Sequence, residues 1–142
     1  MSTVKVNTLT GTTTAGSIAV TGEGNSTTTN LQQGLAKVWA CIDGTGTINF
    51  RDSFNTSGIT DNGTGDYTNS YTNNMGSANY HFSGYSGDPG AKIGNYHISD
   101  SPSDAKQAAS VRYNTLFVSN TTGSGSGFDT EHTFLVVHGD LA

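Results

Sequence analysis

Leu35-Ala36-Lys37-Val38-Trp39-Ala40-Cys41-Ile42 runs directly into Asp43-Gly44-Thr45-Gly46. In an extended chain, alternate side chains point to opposite faces, so Leu35, Trp39 and Cys41 share one face and Ala36, Val38, Ala40 and Ile42 share the other. Apolar side chains on both faces predict a central strand covered on both sides. Asp-Gly-Thr-Gly then predicts a turn, and Ile48, Phe50, Asp52 and Phe54 predict a return strand from Thr47 that bends near Asp52.

The same punctuation continues outward. Ile59-Thr60-Asp61-Asn62-Gly63-Thr64-Gly65-Asp66-Tyr67 reads as a hairpin, because Asn-Gly readily supplies the positive φ angles of a tight turn. Tyr67 and Tyr71 fall on one face of the following strand, and Tyr80 and Phe82 on one face of the next, with Tyr85 placed in a glycine-rich turn from Gly84 to Gly90. Ile93, Tyr96 and Ile98 mark a further strand, and Ser101-Pro102 has the form of a helix start. Val111, Tyr113, Thr115 and Phe117 alternate along a long strand. After a Thr121–Gly127 loop, the last strand sets His132, Phe134, Val136 and His138 against Thr133, Leu135 and Val137. About seven short strands with polar turns predict an all-β protein, an antiparallel β-sandwich of jelly-roll type.

Residues 1–33 differ from the rest. Val4, Val6 and Leu9 form one strand-like piece and Ile18 and Val20 another, with a linker of Gly, Ser, Thr and Asn from Gly22 to Asn30. So few apolar side chains do not offset an ordering cost of roughly 1–2 kcal/mol per residue. The expected organisation is therefore an N-terminal assembly arm over 1–33, whose Val4, Val6, Leu9, Ile18 and Val20 pack on another chain, and a sandwich head over 34–142.

Composition excludes several classes. Thr, Ser, Asn and Gly make up about half of the 142 residues, only 12% are charged, and the net charge is −5. That balance argues against charge-driven disorder. Six Lys and Arg, scattered singly, and a pI near 5.0 do not make a nucleic-acid surface. No apolar run approaches membrane-spanning length, and the first residues lack a signal-peptide pattern, so no membrane insertion is expected and release would require cell lysis. Cys41 is the sole cysteine, which excludes a disulfide framework.

The candidate chemistry is sparse. His132 and His138 lie six residues apart on one strand face, about 20 Å from each other, so only a symmetry axis gathering copies of one of them would build a metal site. Asp61–Asp66 resembles a calcium loop but lacks the closing bidentate Glu. Gly84-Tyr85-Ser86-Gly87 has the wrong spacing for a nucleophile elbow, and the acidic residues Asp52, Asp66, Asp88, Asp129 and Glu131 converge on no site. No enzyme activity and no cofactor are expected. Tyr85, Asp88, Tyr96 and His81 form the best surface candidate, since an aromatic face stacks on the C–H surface of a sugar while a nearby carboxylate takes its hydroxyls.

The blocks Gly34-Leu35-Ala36-Lys37-Val38-Trp39, Asp43-Gly44-Thr45-Gly46-Thr47-Ile48, Arg51-Asp52-Ser53-Phe54-Asn55 and Ile59 to Thr68, with Val111-Arg112 and the ending Val136-Val137-His138-Gly139-Asp140, resemble the C-terminal head domain of a family of bacteriophage tail-fibre proteins found in marine and podovirus-like phages. The resemblance spans most of Gly34 to Asp140. It implies a structural virion protein, a homotrimer made in the host cytoplasm and released by lysis, with other virion proteins as partners and a tip for host attachment through a surface glycan or receptor. At 142 residues the chain is expected to lack a long fibre shaft. A head-fibre or capsid decoration protein without a ligand, and a glycan-binding module, are the alternatives.

Overall fold

The computed structural model describes residues 3–14, 18–22, 24–25, 27–87, 94–100, 106–119 and 122–142. The chain divides into two compact units, Met1–Leu35 and Ala36–Ala142.

In the first unit, Ala19–Thr21 (β1) pairs antiparallel with Thr28–Asn30 (β2). The segment expected to be a linker is thus partly the return strand of a hairpin, closed by Gly22 N–H to the Thr27 carbonyl at 2.9 Å. A single helical turn, Leu31–Gly34 (α1), follows, with the Asn30 side chain capping it by accepting from the Gln32 and Gln33 amides. Residues 3–10, expected to hold a strand, carry none, and Val4, Val6 and Leu9 are exposed. An isolated strand has no ladder to join.

The second unit is all-β. Its strands are Val38–Asp43 (β3), Asn49–Phe54 (β4), Thr56–Gly63 (β5), Asp66–Tyr71 (β6), His81–Gly87 (β7), Gly94–Asp100 (β8), Lys106–Gln107 (β9), Ser110–Ser119 (β10), Gly125–Gly127 (β11) and His132–His138 (β12). One sheet has the order β4-β3-β12-β7. The other runs β5-β6-β10-β11, with β8 and β9 also pairing β10. Every pairing is antiparallel.

Strict alternation builds the core between these sheets. Val38, Ala40 and Ile42 of β3 and Leu135 and Val137 of β12 meet Tyr67 and Tyr71 of β6 and Val111 and Tyr113 of β10, with Met75 and Tyr80 completing the cluster. At roughly 25 cal/mol per Å² of apolar surface, such side chains contribute about 1.5–3 kcal/mol each on burial. β3 is central in its sheet, as its apolar run predicts. Its other face is less fully covered among the described residues, where Cys41 is half-buried and Trp39 remains 37% exposed.

Three further expectations change in detail. The β5–β6 hairpin turns at Thr64-Gly65, two residues beyond Asn62-Gly63, because a bulge makes Asn62 the extra residue and lets Gly63 pair with Asp66. Tyr85 lies inside β7, since β12 supplies a continuous ladder from His132 to His138 that outweighs the weak strand propensity of the glycines. Lys106-Gln107 is a strand; residues 101–105, where a helix start was expected, lie outside the described residues.

The core is rich in tyrosine, and hydroxyl partners decide what each ring contributes. The Tyr67 hydroxyl donates to Asp129 Oδ1 at 2.6 Å, while the Gly65 amide donates to the same atom at 2.7 Å. Burial and the neighbouring Asp129 carboxylate push the Tyr67 pKa far up, so the phenol stays protonated. Tyr71 donates to Tyr80, whose hydroxyl lies 2.8 Å from the Ser110 carbonyl. Tyr113, by contrast, is fully buried with a hydroxyl lacking any hydrogen-bond partner, as does the side chain of buried Asn69. Removing one partner of a buried pair costs about 1–3 kcal/mol, whereas removing an unsatisfied group costs nothing comparable. Tyr67→Phe is therefore expected to lower stability by about 1–3 kcal/mol and Tyr113→Phe to leave it unchanged or raise it. Paired urea melts check this; equal losses in both variants would refute the assignment.

Candidate functional site

The outward side of the β4-β3-β12-β7 sheet concentrates large apolar side chains where a solvated sheet face carries polar ones. Two neighbouring rows cross all four strands. In one, Phe54, Trp39, Val136 and Ser83 stand opposite one another; in the other, Asp52, Cys41, Phe134 and Tyr85 do. Phe54, Trp39, Phe134 and Tyr85 thus form a diagonal stripe, one ring per strand. Phe54 is 52% exposed, Phe134 46% and Tyr85 61%.

Local structure holds the stripe in place. A bulge in β4, where Cys41 faces Asp52 and Ile42 faces Phe50, leaves Arg51 as the extra residue and puts Asp52 and Phe54 on the outer side. Phe134 stacks on His132 with ring centroids 6.3 Å apart and planes 17° from parallel. Gly87 lets the Tyr85 ring lie along its own strand, since a Cβ there would stand 2.8 Å from the phenol oxygen.

Charge gathers at one end of the face. Arg51 Nη2 lies 2.7 Å from Asp43 Oδ2 and 3.2 Å from Glu131 Oε1, and His132 Nε2 stands 4.0 Å from the same glutamate oxygen. The Thr45 hydroxyl and amide donate to Asp43 at 2.6 and 3.0 Å and, helped by Arg51, hold its carboxyl below the usual 3.8. On the opposite sheet, Arg112 grips Asp66 through two bonds of 2.9 and 2.6 Å and lowers that carboxyl likewise. Folded-state values below 3.8 mean that the unfolded chain binds more protons near that pH, so the stability from both aspartates is present above 3.8 and lost as pH falls through the lower folded values. Acid denaturation of Asp66→Asn is expected to be shallower below pH 3.8 than that of the wild type. Coincident slopes in a pH series of urea midpoints would refute this.

The residues expected to bind a ligand are only partly brought together. Tyr85 stands on the stripe, and His81, exposed at the start of β7, faces His138 across the β12 ladder. Asp88 lies outside the described residues. For Tyr96 the structure describes only its place in β8, opposite Phe117 and so in the other sheet. His132 and His138 both lie on the outer side of β12. Among the described residues, no group of three or more His, Cys, Asp or Glu side chains is placed to hold a metal ion. In the first unit, an apolar pocket of about 250 Å³ is lined by Val20, Leu31 and Leu35 together with Thr29, Asn30 and Gly34. Ile18 is half-buried, and its carbonyl accepts from the Leu31 amide at 2.8 Å.

Trp39, Phe54 and Phe134 are the site residues that ligand reasoning from sequence passed over. The signal for Trp39 is the second apolar parity of β3; Phe54 and Phe134 carry theirs in the alternation of β4 and β12. The fold and this face define the chain as an all-β sandwich with an aromatic outer surface. No protein-family model, curated protein or solved structure matches it.

Proposed function

We infer that the chain is a structural bacteriophage protein, a tail fibre or fibre-like appendage that assembles as a homotrimer and presents its sandwich to the host surface. The observation that carries this reading is the apolar surface of the first unit. Val4 is 81% exposed, Val6, Leu9, Val20 and Leu35 are each at least half exposed, and among the described residues the buried hydrophobic core is drawn from the second unit. A 35-residue unit of this kind gains stability by binding other copies or another virion protein. The family resemblance of residues 34–140 supports the same reading.

The test is the mass of the purified protein together with its location. Sedimentation should give three times 14.7 kDa, and antibodies against the chain should label phage particles by electron microscopy. A folded monomer at all concentrations, or unlabelled particles, would overturn the reading. The exposed Tyr85 favours a second reading, a glycan-binding module, which predicts a glycan-array signal that Tyr85→Ala abolishes.

A further inference from the structure

We propose that Asn62-Gly63 is a site of spontaneous deamidation, which the folded β5–β6 hairpin holds shut and local opening of the hairpin releases. The chemistry needs only water and its hydroxide ion. Once hydroxide has taken its proton, the Gly63 nitrogen attacks Asn62 Cγ. The new N–Cγ bond displaces the side-chain nitrogen, which leaves with a proton from water as ammonia, and a succinimide ring closes. Water then opens either imide carbonyl, leaving aspartate or isoaspartate at position 62. None of this depends on the homotrimer reading above.

Sequence and position make the pair reactive. Asn62-Gly63 is the one Asn-Gly in the chain. Glycine has no Cβ to shield its nitrogen from the incoming carboxamide carbon. Both residues are exposed at the close of β5, the end strand of its sheet, and a Cβ built on Gly63 would meet nothing within 4 Å, so water reaches this peptide. As the extra residue of the bulge, Asn62 has no partner opposite it in β6.

The folded chain opposes each step. The Gly63 amide donates to Asp61 Oδ1 at 2.9 Å, so a carboxylate holds the proton that must leave. The Asn62 side-chain nitrogen donates to Thr68 Oγ1 at 2.9 Å, which ties the carboxamide to the neighbouring strand and restrains its rotation toward Gly63. After Arg112, Asn62 also helps to hold the Asp66 carboxyl below its usual value, a second tie to β6. Gly63 itself is paired with Asp66. Opening of the hairpin breaks these restraints together, so the native rate is the rate of the open chain multiplied by the fraction of time spent open.

The product favours its own formation elsewhere in the population only through the fold it loosens, and it loosens this hairpin directly. A carboxylate at position 62 stands near Asp61 and Asp66 in a chain whose net charge is already −5. Isoaspartate also adds an atom to the backbone beside the Gly63–Asp66 pair.

The test follows incorporation of heavy oxygen from labelled water into the proteolytic peptide holding Asn62, by mass spectrometry, for the full chain in mildly alkaline buffer with and without guanidinium chloride. The unfolded chain should convert roughly a hundredfold faster than the folded one. Asp61→Ala and Thr68→Val, with strand circular dichroism checked, should each raise the folded rate by roughly tenfold relative to the same variant unfolded. The wild-type comparison requires no variant to fold. Equal rates in the folded and unfolded wild type would overturn the proposal, as would no incorporation in guanidinium chloride. Folded variants that convert as slowly as the wild type would overturn the roles of Asp61 and Thr68 and with them the gate.

Discussion

Gly65→Ala is expected to lower stability by about 2–5 kcal/mol, the sum of two independent costs at one residue. Gly65 holds φ at +67° in the β5–β6 turn. An L side chain pays about 1–2 kcal/mol in that left-handed region. The second cost is steric. A Cβ would stand 2.5 Å from both the Phe128 amide nitrogen and the Thr115 carbonyl oxygen, and overpacking of this kind typically costs about 1–3 kcal/mol. Neither atom is free to yield, because Phe128 N–H donates to Thr115 O at 3.1 Å and Thr115 N–H donates to Gly65 O at 2.8 Å. The damage would spread to the Asp129 carboxylate, which joins the Gly65 amide to the Tyr67 hydroxyl. Gly46→Ala separates the two costs: Gly46 holds nearly the same φ, +64°, but its Cβ would meet open space. Urea denaturation should show Gly65→Ala as clearly the more damaging. Equal effects would mean that the close approach of the β10–β12 connection does not constrain this turn.

The faces of β6, β10 and β12 were legible because a period of two is a strong signal wherever a face is buried. Tyr67 with Tyr71, Val111 with Tyr113, and Leu135 with Val137 are buried as their parity requires. Non-local pairing was not legible. The order β4-β3-β12-β7 inserts the last strand beside the third, and no local residue announces this. The same long-range ladder draws Tyr85 and its flanking glycines into β7. Bulges hid the turn at Thr64-Gly65, since one extra residue displaces a turn without altering its composition. The candidate site was half legible: Tyr85 was picked from its chemistry, while Trp39, Phe54 and Phe134 were read as ordinary strand residues. Parity tells which side chains share a face, but whether that face is covered depends on partners that sequence pattern does not identify.

Asn55→Ala is expected to cost about 2–4 kcal/mol, although the residue is only half-buried and touches no candidate ligand surface. Asn55 is the single residue between β4 and β5, where the chain leaves one sheet for the other, and it holds φ at +57° to do so. Asparagine tolerates that conformation better than most residues, and here its side chain also joins two neighbouring segments. Its amide group donates to the Lys37 carbonyl at 3.0 Å and to the Asn73 carbonyl at 3.1 Å. Its oxygen accepts from the Asn73 backbone amide at 2.8 Å and side-chain amide at 3.0 Å. At about 0.5–1.5 kcal/mol net for each hydrogen bond, with sharing among four reducing the sum, the loss reaches a few kcal/mol. Asn55→Gly keeps the backbone conformation without the hydrogen bonds, so it should recover about 1 kcal/mol of the loss in Asn55→Ala. Because the corner also sets Phe54 on the outer face beside Trp39, Asn55→Ala should alter Trp39 emission in the folded protein. An unchanged spectrum with unchanged stability would show that the β3–β4 ladder alone fixes this corner.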